Sequence, residues 1–298
     1  MTIRFVKHSD IEPSQWNSAI MNSRVPLVYA LYEYLNEICD RNWGALIFGD
    51  YEAVFPLPMK SKWGITYIVQ PIFCQQLGAF GSNKNISTQA FIDAIPRRFL
   101  RVRLQLNPYF DVDSPPSSPT KINFILPLSS PPTYNKDCRK NLATLAQLPI
   151  VYAKDDVSLT DAISVYKSAW GGVNTQLHDE DYMRFERACW AIKESTGAAF
   201  VISAKNETTQ CLLGTAILLS HPRIAENQEC HFHYVCAGPT AAGKTIGIMH
   251  GIIDHVIQTH QGKNRFFDFE GSSIPSVASF YKKFGPTDKP FFLFKRGI

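Results

Sequence analysis

The sequence predicts an α+β protein of two domains, each a mixed, mostly antiparallel sheet flanked by helices. Paired runs of alternating apolar and polar residues, joined by turn residues, are typical of antiparallel hairpins. The order of elements in the first half recurs in the second half. Only one strand–helix–strand crossover is visible, near the end of the chain, whereas a doubly wound sheet needs several. The 298 residues are enough for two domains of ordinary size.

The first half begins with a strand and two helices and continues with a hairpin. TIRFVKH alternates as a strand does, and DIEPSQWNSAIM and VPLVYALYEYLNEIC carry apolar residues at helical spacing. GALIFGDYEAVFPLPM predicts a hairpin that turns at Gly49 and Asp50, and IVQPIFCQQLGAF predicts an extended segment. This half then continues with a helix in AFIDAIPRRFL, the strand VRLQLN, the loop DVDSPPSSPT and the strand KINFILPLS.

The second half repeats this order with longer helices. Helices are predicted in YNKDCRKNLATLAQ, LTDAISVYKSAW and DEDYMRFERACWAIKES, and a hairpin in AAFVISAK and QCLLGTAILLS. ECHFHYVCA, RFFDFE and PFFLFKR predict strands, and GKTIGIMHGIIDHVIQ and SVASFYKKF predict the helices between them. The breaker SSPPT indicates a boundary near residues 129–150. We therefore predict domains at 1–130 and 131–298.

Composition excludes several classes of protein. Hydrophobic residues at 45% and charged residues at 19% are typical of a packed globular chain. A net charge of +4 is too small to identify a nucleic-acid binder. The start of the chain lacks a secretory signal, and no apolar run is long enough to span a membrane. Seven scattered cysteines without a C-x-x-C pair predict reduced, mostly buried thiols in a cytoplasmic protein.

The segment GPTAAGKT, from Gly238 to Thr245, matches the phosphate-binding loop of nucleotide hydrolases. In that loop, backbone N–H groups surround the phosphates, the lysine adds positive charge and the hydroxyl binds magnesium. A hydrolase also needs a parallel sheet around the loop, whereas the preceding segments predict hairpins and helices. ATP or GTP binding therefore stays as one alternative. The apolar residues of the following segment predict a helix with a core face, formed by Ile246, Met249, Ile253, Val256 and Ile257.

The end of the chain resembles a known superfamily. In IPSVASFYKKFG, Ala278, Tyr281 and Gly285 fall on the A-x-x-Y-x-x-x-G segment of the acyl-CoA N-acyltransferases of the GNAT superfamily. FFDFEGS resembles the D-F-x-G-S strand ending of the tandem-GNAT FemABX group, with Asp268, Gly271 and Ser272 among the matching residues. CRKNLATLAQ is similar to the basic helix that opens the second half in that group. The motifs lie within 266–285, and the likeness elsewhere is in element order.

The resemblance implies an N-acyltransferase with two GNAT-like domains. A degenerate first domain would lie on the acceptor side of an inter-domain cleft, and the second would hold the donor. The donor implied is acyl-CoA, acetyl-CoA or longer, and the acceptor a small-molecule or peptide amine. A backbone N–H of β-strand residues near Tyr234 would hold the oxyanion, and the loop would bind the pyrophosphate. The implied donor-binding residues are Tyr234, Val235, Cys236, Ala237, Gly238, Ala242, Gly243, Lys244 and Thr245.

Three residues are candidates for the proton transfers that acyl transfer requires. Tyr281 matches the position of the proton donor to the leaving thiolate, although a buried structural tyrosine explains it equally well. Asp268 and Glu270 lie on one face of a strand, where either would accept the amine proton. The alternative for these carboxylates is a cap on the next helix.

His231 and His233 share one strand face, with Cys230, Phe232, Tyr234 and Cys236 on the other. With Asp268 and Glu270 the histidines suggest a metal site. No third ligand stands at a diagnostic spacing, so we predict no metal and expect surface or pocket histidines.

Two clusters of basic residues leave a second kind of donor, a charged tRNA, as an alternative. Positive charges concentrate in PRRFLRVR, at Arg97, Arg98, Arg101 and Arg103, and in the boundary helix, at Lys136, Arg139 and Lys140. Such patches suit a FemABX-type aminoacyl transfer from charged tRNA to a peptide or cell-wall amine. The alternative is a solvated helix face. Gln75 and Gln76 either line the cleft or pack as a strand with one buried amide. A scaffold without catalysis also stays open, since Pro275 stands where the family often has asparagine.

Overall fold

The computed structural model describes residues 2–82, 86–110, 120–172, 176–220, 228–271 and 274–297. The chain divides into two compact units. Unit 1 comprises Met1–Ile122, His221–Glu229 and Pro290–Ile298, and unit 2 comprises Asn123–Ser220 and Cys230–Lys289. The predicted domain bounds stay a prediction. The predicted loop DVDSPPSSPT lies almost wholly outside the described residues, as does Ser272.

The first part of the chain forms a sheet with three helices. The elements are β1 (Ile3–Lys7), α1 (Pro13–Met21), α2 (Tyr32–Ile38), β2 (Trp43–Phe48), β3 (Ala53–Lys62), β4 (Ile65–Val69), β5 (Phe80–Gly81), α3 (Thr88–Ala94) and β6 (Val102–Leu106). Short 3₁₀ helices cover His8–Asp10 and Val28–Ala30. The hairpin turn falls at Gly49 and Asp50, as the sequence predicts.

The rest of the chain supplies further strands and longer helices, and its last strand pairs with β6. The elements are β7 (Thr120–Pro127), α4 (Lys136–Leu145), β8 (Ile150–Lys154), α5 (Leu159–Trp170), α6 (Asp179–Thr196), β9 (Ala199–Asn206), β10 (Leu212–Leu219), β11 (Cys230–Pro239), α7 (Ala241–Thr245), α8 (Met249–Thr259), β12 (Arg265–Asp268), α9 (Pro275–Lys282) and β13 (Thr287–Arg296). The strand order is β1-β2-β3-β4-β6-β13 in unit 1 and β7-β12-β11-β10-β9-β8 in unit 2.

Most described strand pairs are antiparallel, which confirms the mixed, mostly antiparallel sheets. The parallel pairs are β4 with β6 and β11 with β12. The second pair is the predicted late crossover, with α8 between its strands. The predicted core face of α8 is confirmed: Ile253, Val256 and Ile257 are buried, and Ile246 and Met249 pack against the same cluster.

Several elements differ from the sequence prediction. The strand predicted in RFFDFE ends at Asp268, so Glu270 lies beyond it. The helix predicted in VPLVYALYEYLNEIC is divided by Leu31, whose extended backbone separates a 3₁₀ turn from α2. The helix predicted from GKTIGIMHGIIDHVIQ is interrupted at Gly247, where φ is +69°. The edge strand β8 was not predicted, because its few residues follow a helix too closely to give a pattern of their own. Its register against β9 identifies it.

All seven cysteines carry free thiols and five of them are buried, as predicted. None of the helices in the described ranges has both the length and the apolar character that a membrane crossing requires.

Candidate active site

The site is built around two parallel strands that separate. β11 and β12 pair from Cys230 and Arg265 as far as His233 and Asp268. β12 ends there, whereas β11 runs on to Pro239 along β10. Six residues of β11 therefore have a partner on one side and none from β12 on the other.

A bulge lies in β11 just beyond the point of separation. Ile217 of β10 pairs with Cys236 and Leu218 with Tyr234, so Val235 is the extra residue. The bulge shifts the faces of the strand by one residue. Tyr234 and Ala237, rather than Cys236, face the cluster on α8. The prediction that Cys236 shares a face with Cys230 and Tyr234 was wrong, because strict alternation ends at a bulge.

A buried polar cluster lies where the strands separate. His233 Nδ1 is 2.8 Å from Glu270 Oε1 and 3.3 Å from Asp268 Oδ2. Asp268 Oδ1 accepts hydrogen bonds from Asn123 Nδ2 (2.9 Å) and from the Glu270 backbone N–H (2.8 Å). His231 Nδ1 lies 3.7 Å from Asp268 Oδ2. Asp268 is thus held by a hydrogen bond from Asn123 of β7, and Glu270 lies just beyond the end of β12.

The charges within this cluster stabilise one another. Burial lowers the pKa of His233, but hydrogen bonds and charge attraction from Asp268 and Glu270 raise it to about 9. Burial raises the pKa of Asp268, yet the two neighbouring imidazoles hold it well below its usual range. At neutral pH the cluster therefore contains an imidazolium between two carboxylates.

The same atoms have the chemistry of a metal site. One nitrogen of His233 and one oxygen each of Asp268 and Glu270 lie within 4.8 Å of one another, a set that suits a divalent cation. The sequence analysis named these three residues as a possible metal site but found no further ligand at a diagnostic spacing. However, 2.8 Å is the length of a charge-assisted hydrogen bond, and the proton on Nδ1 already neutralises one carboxylate. We therefore interpret the cluster as an ion pair, and the absence of a metal stays a prediction.

This ion pair predicts a pH-dependent stability. The folded pKa of His233 is raised above the unfolded value of 6.5, so its stabilisation is complete below pH 6.5 and is lost as pH rises toward 9. The free energy of unfolding should fall by roughly 2 kcal/mol between pH 6.5 and 8.5. Chemical denaturation across this range measures the loss. Buried thiols affect the result mainly at higher pH.

The Glu270→Gln variant provides the control, because it removes one of the two carboxylates that hold the imidazolium. Its slope between pH 6.5 and 8.5 should be shallower than that of the unmodified protein. Equal slopes in both proteins, or no slope at all, would contradict the ion pair.

Two alternatives from the sequence are now corrected. The carboxylates do not cap the following helix, since α9 starts after Ile274 and has no side-chain cap. The histidines are not at the surface, since His231 and His233 are both buried. Asp268 is 1% exposed, whereas the Glu270 side chain is 15% exposed. Of the two candidates, Glu270 is thus the one within reach of a bound molecule.

Tyr281 lies on the face of the sheet that packs against α8. Its ring centroid is 5.0 Å from that of Phe269 and 6.2 Å, edge on, from that of Tyr234. Burial raises the pKa of Tyr281, and the negative charge of Glu270 raises it further. The phenol of Tyr281 therefore stays protonated at neutral pH. Both interpretations, a proton donor and a structural tyrosine, agree with this.

The loop GPTAAGKT begins at the end of β11, in the part that pairs with β10 but not with β12. Thr240 caps α7 by accepting the Gly243 N–H (3.2 Å), and its own hydroxyl donates to the Leu212 and Leu213 carbonyls (3.1 Å each). Gly243 is buried, and a Cβ there would lie 1.8 Å from the Leu213 oxygen. Glycine is therefore required at position 243 because the loop lies close to β10 there. The Gly243 N–H already donates to the Thr240 hydroxyl. Ala242, Lys244 and Thr245 are exposed.

The surroundings of the loop do not favour a nucleotide hydrolase. α7 has five residues, and the chain turns at Gly247 before α8 begins. Among the described strands of unit 2, only β11 and β12 pair in parallel. The hydrolase alternative requires a parallel sheet and one continuous helix after the loop, and the described chain has neither.

Trp170, at the end of α5, contacts the part of β11 that has no partner from β12. Its indole Nε1 donates to the Ala237 carbonyl oxygen (2.9 Å). A Cβ on Gly238 would lie 3.0 Å from Ala169 Cβ and 3.1 Å from Trp170 Nε1. Sequence reasoning missed Trp170 because it ends a helix that is distant in the chain. Asn123 was missed for the same reason, and no local pattern marks either residue.

The remaining candidates lie on the surface or in irregular structure. Arg97, Arg98, Arg101 and Arg103 are exposed, as are Lys136, Arg139 and Lys140 on α4. Gln76 is buried and donates to Gln75 Oε1, in a segment that is not a regular strand.

Comparison with known proteins gives a fold but no sequence family. No protein-family model matches the chain, and no curated protein matches its sequence. The structure of FemX is similar over 98% of this chain and 96% of that chain, with a TM-score of 0.65 at 12% identity. A conserved protein of unknown function from Bacteroides thetaiotaomicron is similar over 100% of both chains, with a TM-score of 0.62 at 8% identity.

A tandem GNAT protein from the clavulanic acid biosynthesis pathway covers 98% of this chain and 97% of its own, with 11% identity and a TM-score of 0.45. The TM-score of 0.65 against FemX carries the conclusion that the chain has the fold of FemX. The resemblance to the FemABX group, first indicated by residues 266–285, is confirmed at the level of fold.

Proposed function

We propose that this chain, which shares its fold with FemX, transfers an acyl or aminoacyl group to an amine. The observation that carries the proposal is the separation of β11 from β12 beside a buried acid–histidine cluster. The separation leaves backbone groups of β11 without a strand partner from β12, so that an extended donor can add as a strand. The bulge at Val235 breaks the ladder there and frees a backbone N–H for the oxyanion.

In the reaction the amine nitrogen attacks the acyl carbon, a C–N bond forms and the bond to the leaving group breaks. Glu270 accepts the proton that the amine loses. His233 and Asp268 are positioning residues: His233 holds Glu270 Oε1, and Asp268 holds the Glu270 backbone. Tyr281 donates a proton to the leaving thiolate of a thioester or the leaving alkoxide of an aminoacyl ester, and the proton that Glu270 has taken restores the phenol. This division of roles follows from exposure, because Asp268 is enclosed and Glu270 is not.

The first donor we propose is acyl-CoA. Its amide arm would lie along β11 between Tyr234 and Gly238, and its pyrophosphate near the exposed Ala242, Lys244 and Thr245. Lys244 supplies positive charge there, and Ala242 lies in the first turn of α7. Gly243 would act indirectly, by holding the loop against β10.

Trp170 provides the experiment that tests this donor. An arm that pairs with β11 must displace the indole from the Ala237 carbonyl. We expect calorimetry to detect acetyl-CoA binding, and Trp170→Phe, which keeps the ring without its N–H, to tighten it about threefold to tenfold, the equivalent of one hydrogen bond. Absence of binding by both proteins, to acetyl-CoA and to longer acyl-CoAs, would exclude the acyl-CoA donor.

The second donor is a charged tRNA, and the contact of Trp170 with Ala237 is the observation that favours it. An aminoacyl ester has no strand-like arm, so it leaves this contact in place. Gel shifts with total charged tRNA, at several stated salt concentrations, distinguish the two donors. Retarded tRNA with a steep salt dependence supports aminoacyl transfer, and its absence removes this alternative.

A further inference from the structure

The hairpin between β3 and β4 carries a tryptophan that folding does not explain. Trp63 and Gly64 form its two-residue turn, with φ of +53° and +77°. Glycine and asparagine favour such left-handed positions, whereas a bulky side chain is strained there. Trp63 is nevertheless 89% exposed. A strained residue that buries nothing in its own chain points to a contact outside it.

Other large apolar residues surround this turn. Ile65 is 55% exposed and Leu100 is 67% exposed. Both line a groove of about 750 Å³, together with Gly64. The Lys62 ammonium lies 4.6 Å above the Trp63 ring. The tip of the hairpin thus combines an indole and aliphatic side chains with a cation.

Three further cations line the same groove: Lys7, Arg41 and Arg98. Among the described residues that line it, none is acidic. None of the three forms an ion pair with the described residues. Arg98 is held by aromatic contact instead, 4.6 Å above the ring of Phe5 and 5.0 Å above that of Phe99. The positive charges of Lys7, Arg41 and Arg98 are therefore not neutralised by the described lining of the groove, which is open to solvent.

We propose that this surface, the Trp63 turn and the groove beside it, docks on an anionic lipid bilayer. Tryptophan prefers the level of the headgroups, where its apolar ring and its N–H are both accommodated. Ile65 and Leu100 favour lipid over nucleic acid, because aliphatic side chains insert among acyl chains but do not stack on bases. Lys7, Lys62 and Arg98 lie beside them to meet acidic headgroups. This proposal is independent of the acyl-transfer reaction.

Vesicle binding of the full chain tests the proposal. We expect the protein to sediment with phosphatidylcholine vesicles that contain phosphatidylglycerol, and to be released by salt. Trp63→Ala should reduce this partition about tenfold, and Arg98→Ala about fivefold. Quenching of tryptophan fluorescence by lipids labelled in the headgroup region should be lost in Trp63→Ala.

The chain offers a matched control on α6. Trp190 is also exposed and has Lys193 5.9 Å above its ring. Trp190→Ala should bind vesicles as the unmodified protein does. The proposal is overturned if no vesicle binds, if Trp190→Ala and Trp63→Ala lose binding equally, or if only a single-stranded oligonucleotide binds through Trp63. Competition by inorganic phosphate alone would indicate a small-anion site instead, and would overturn it as well.

Discussion

Replacing Glu270 by glutamine is expected to lower the rate constant of acyl transfer by about 10²- to 10⁴-fold, the usual contribution of a positioned base. Glutamine keeps the size of the side chain but cannot accept a proton. The donor dissociation constant should stay nearly unchanged, because Glu270 lies at the end of β12 rather than along β11. Release of free thiol from the acyl-CoA that binds, in the presence of amine acceptors, measures the effect.

The matched control is Glu207→Gln, an isosteric change in the turn between β9 and β10. It should transfer at the unmodified rate. His233→Gln should lower the rate less than Glu270→Gln and shift the pH profile, because His233 positions Glu270 rather than reacting. Full activity of Glu270→Gln would remove Glu270 as the base and leave Asp268 as the remaining carboxylate of the cluster.

Replacing Gly243 by alanine is expected to destabilise unit 2. The new Cβ would lie 1.8 Å from the Leu213 oxygen and 2.8 Å from Ile248 Cγ2, so β10 or the loop must move. Overpacking of this kind costs about 1–3 kcal/mol, and a clash with backbone favours the upper part of that range. Urea denaturation measures the change in the free energy of unfolding.

Gly172→Ala is the control, because no atom of the described residues lies within 4 Å of a Cβ at Gly172. Its stability should equal that of the unmodified protein within about 0.5 kcal/mol. If Gly243→Ala were as stable as this control, the loop would have room for a side chain. The glycine would then be needed for a ligand rather than for the contact with β10.

The candidate site was partly visible in the sequence. His233 and Asp268 were found because side chains alternate on short strands, and this alternation is a local property of the backbone. Glu270 was assigned to the same strand as Asp268, but β12 ends at Asp268 and Glu270 has a φ of +63°. Their pairing was not visible, since His233 and Glu270 are 37 residues apart. The histidines were expected at the surface or in a pocket, and a buried imidazolium is costly unless carboxylates surround it. Only the fold brings those carboxylates to it.

The sequence by itself indicated most of the hairpins and helices and their order, because periodicity, turn residues and caps act over a few residues. It also indicated the GNAT likeness through Ala278, Tyr281 and Gly285, and the FemABX likeness through the segment FFDFEGS. Tertiary structure alone decided the bulge at Val235, the contact of Trp170 with Ala237, and the bond from Asn123 to Asp268 across 145 residues. Each of these depends on strands and helices from distant parts of the chain, whose register is fixed only when they pack.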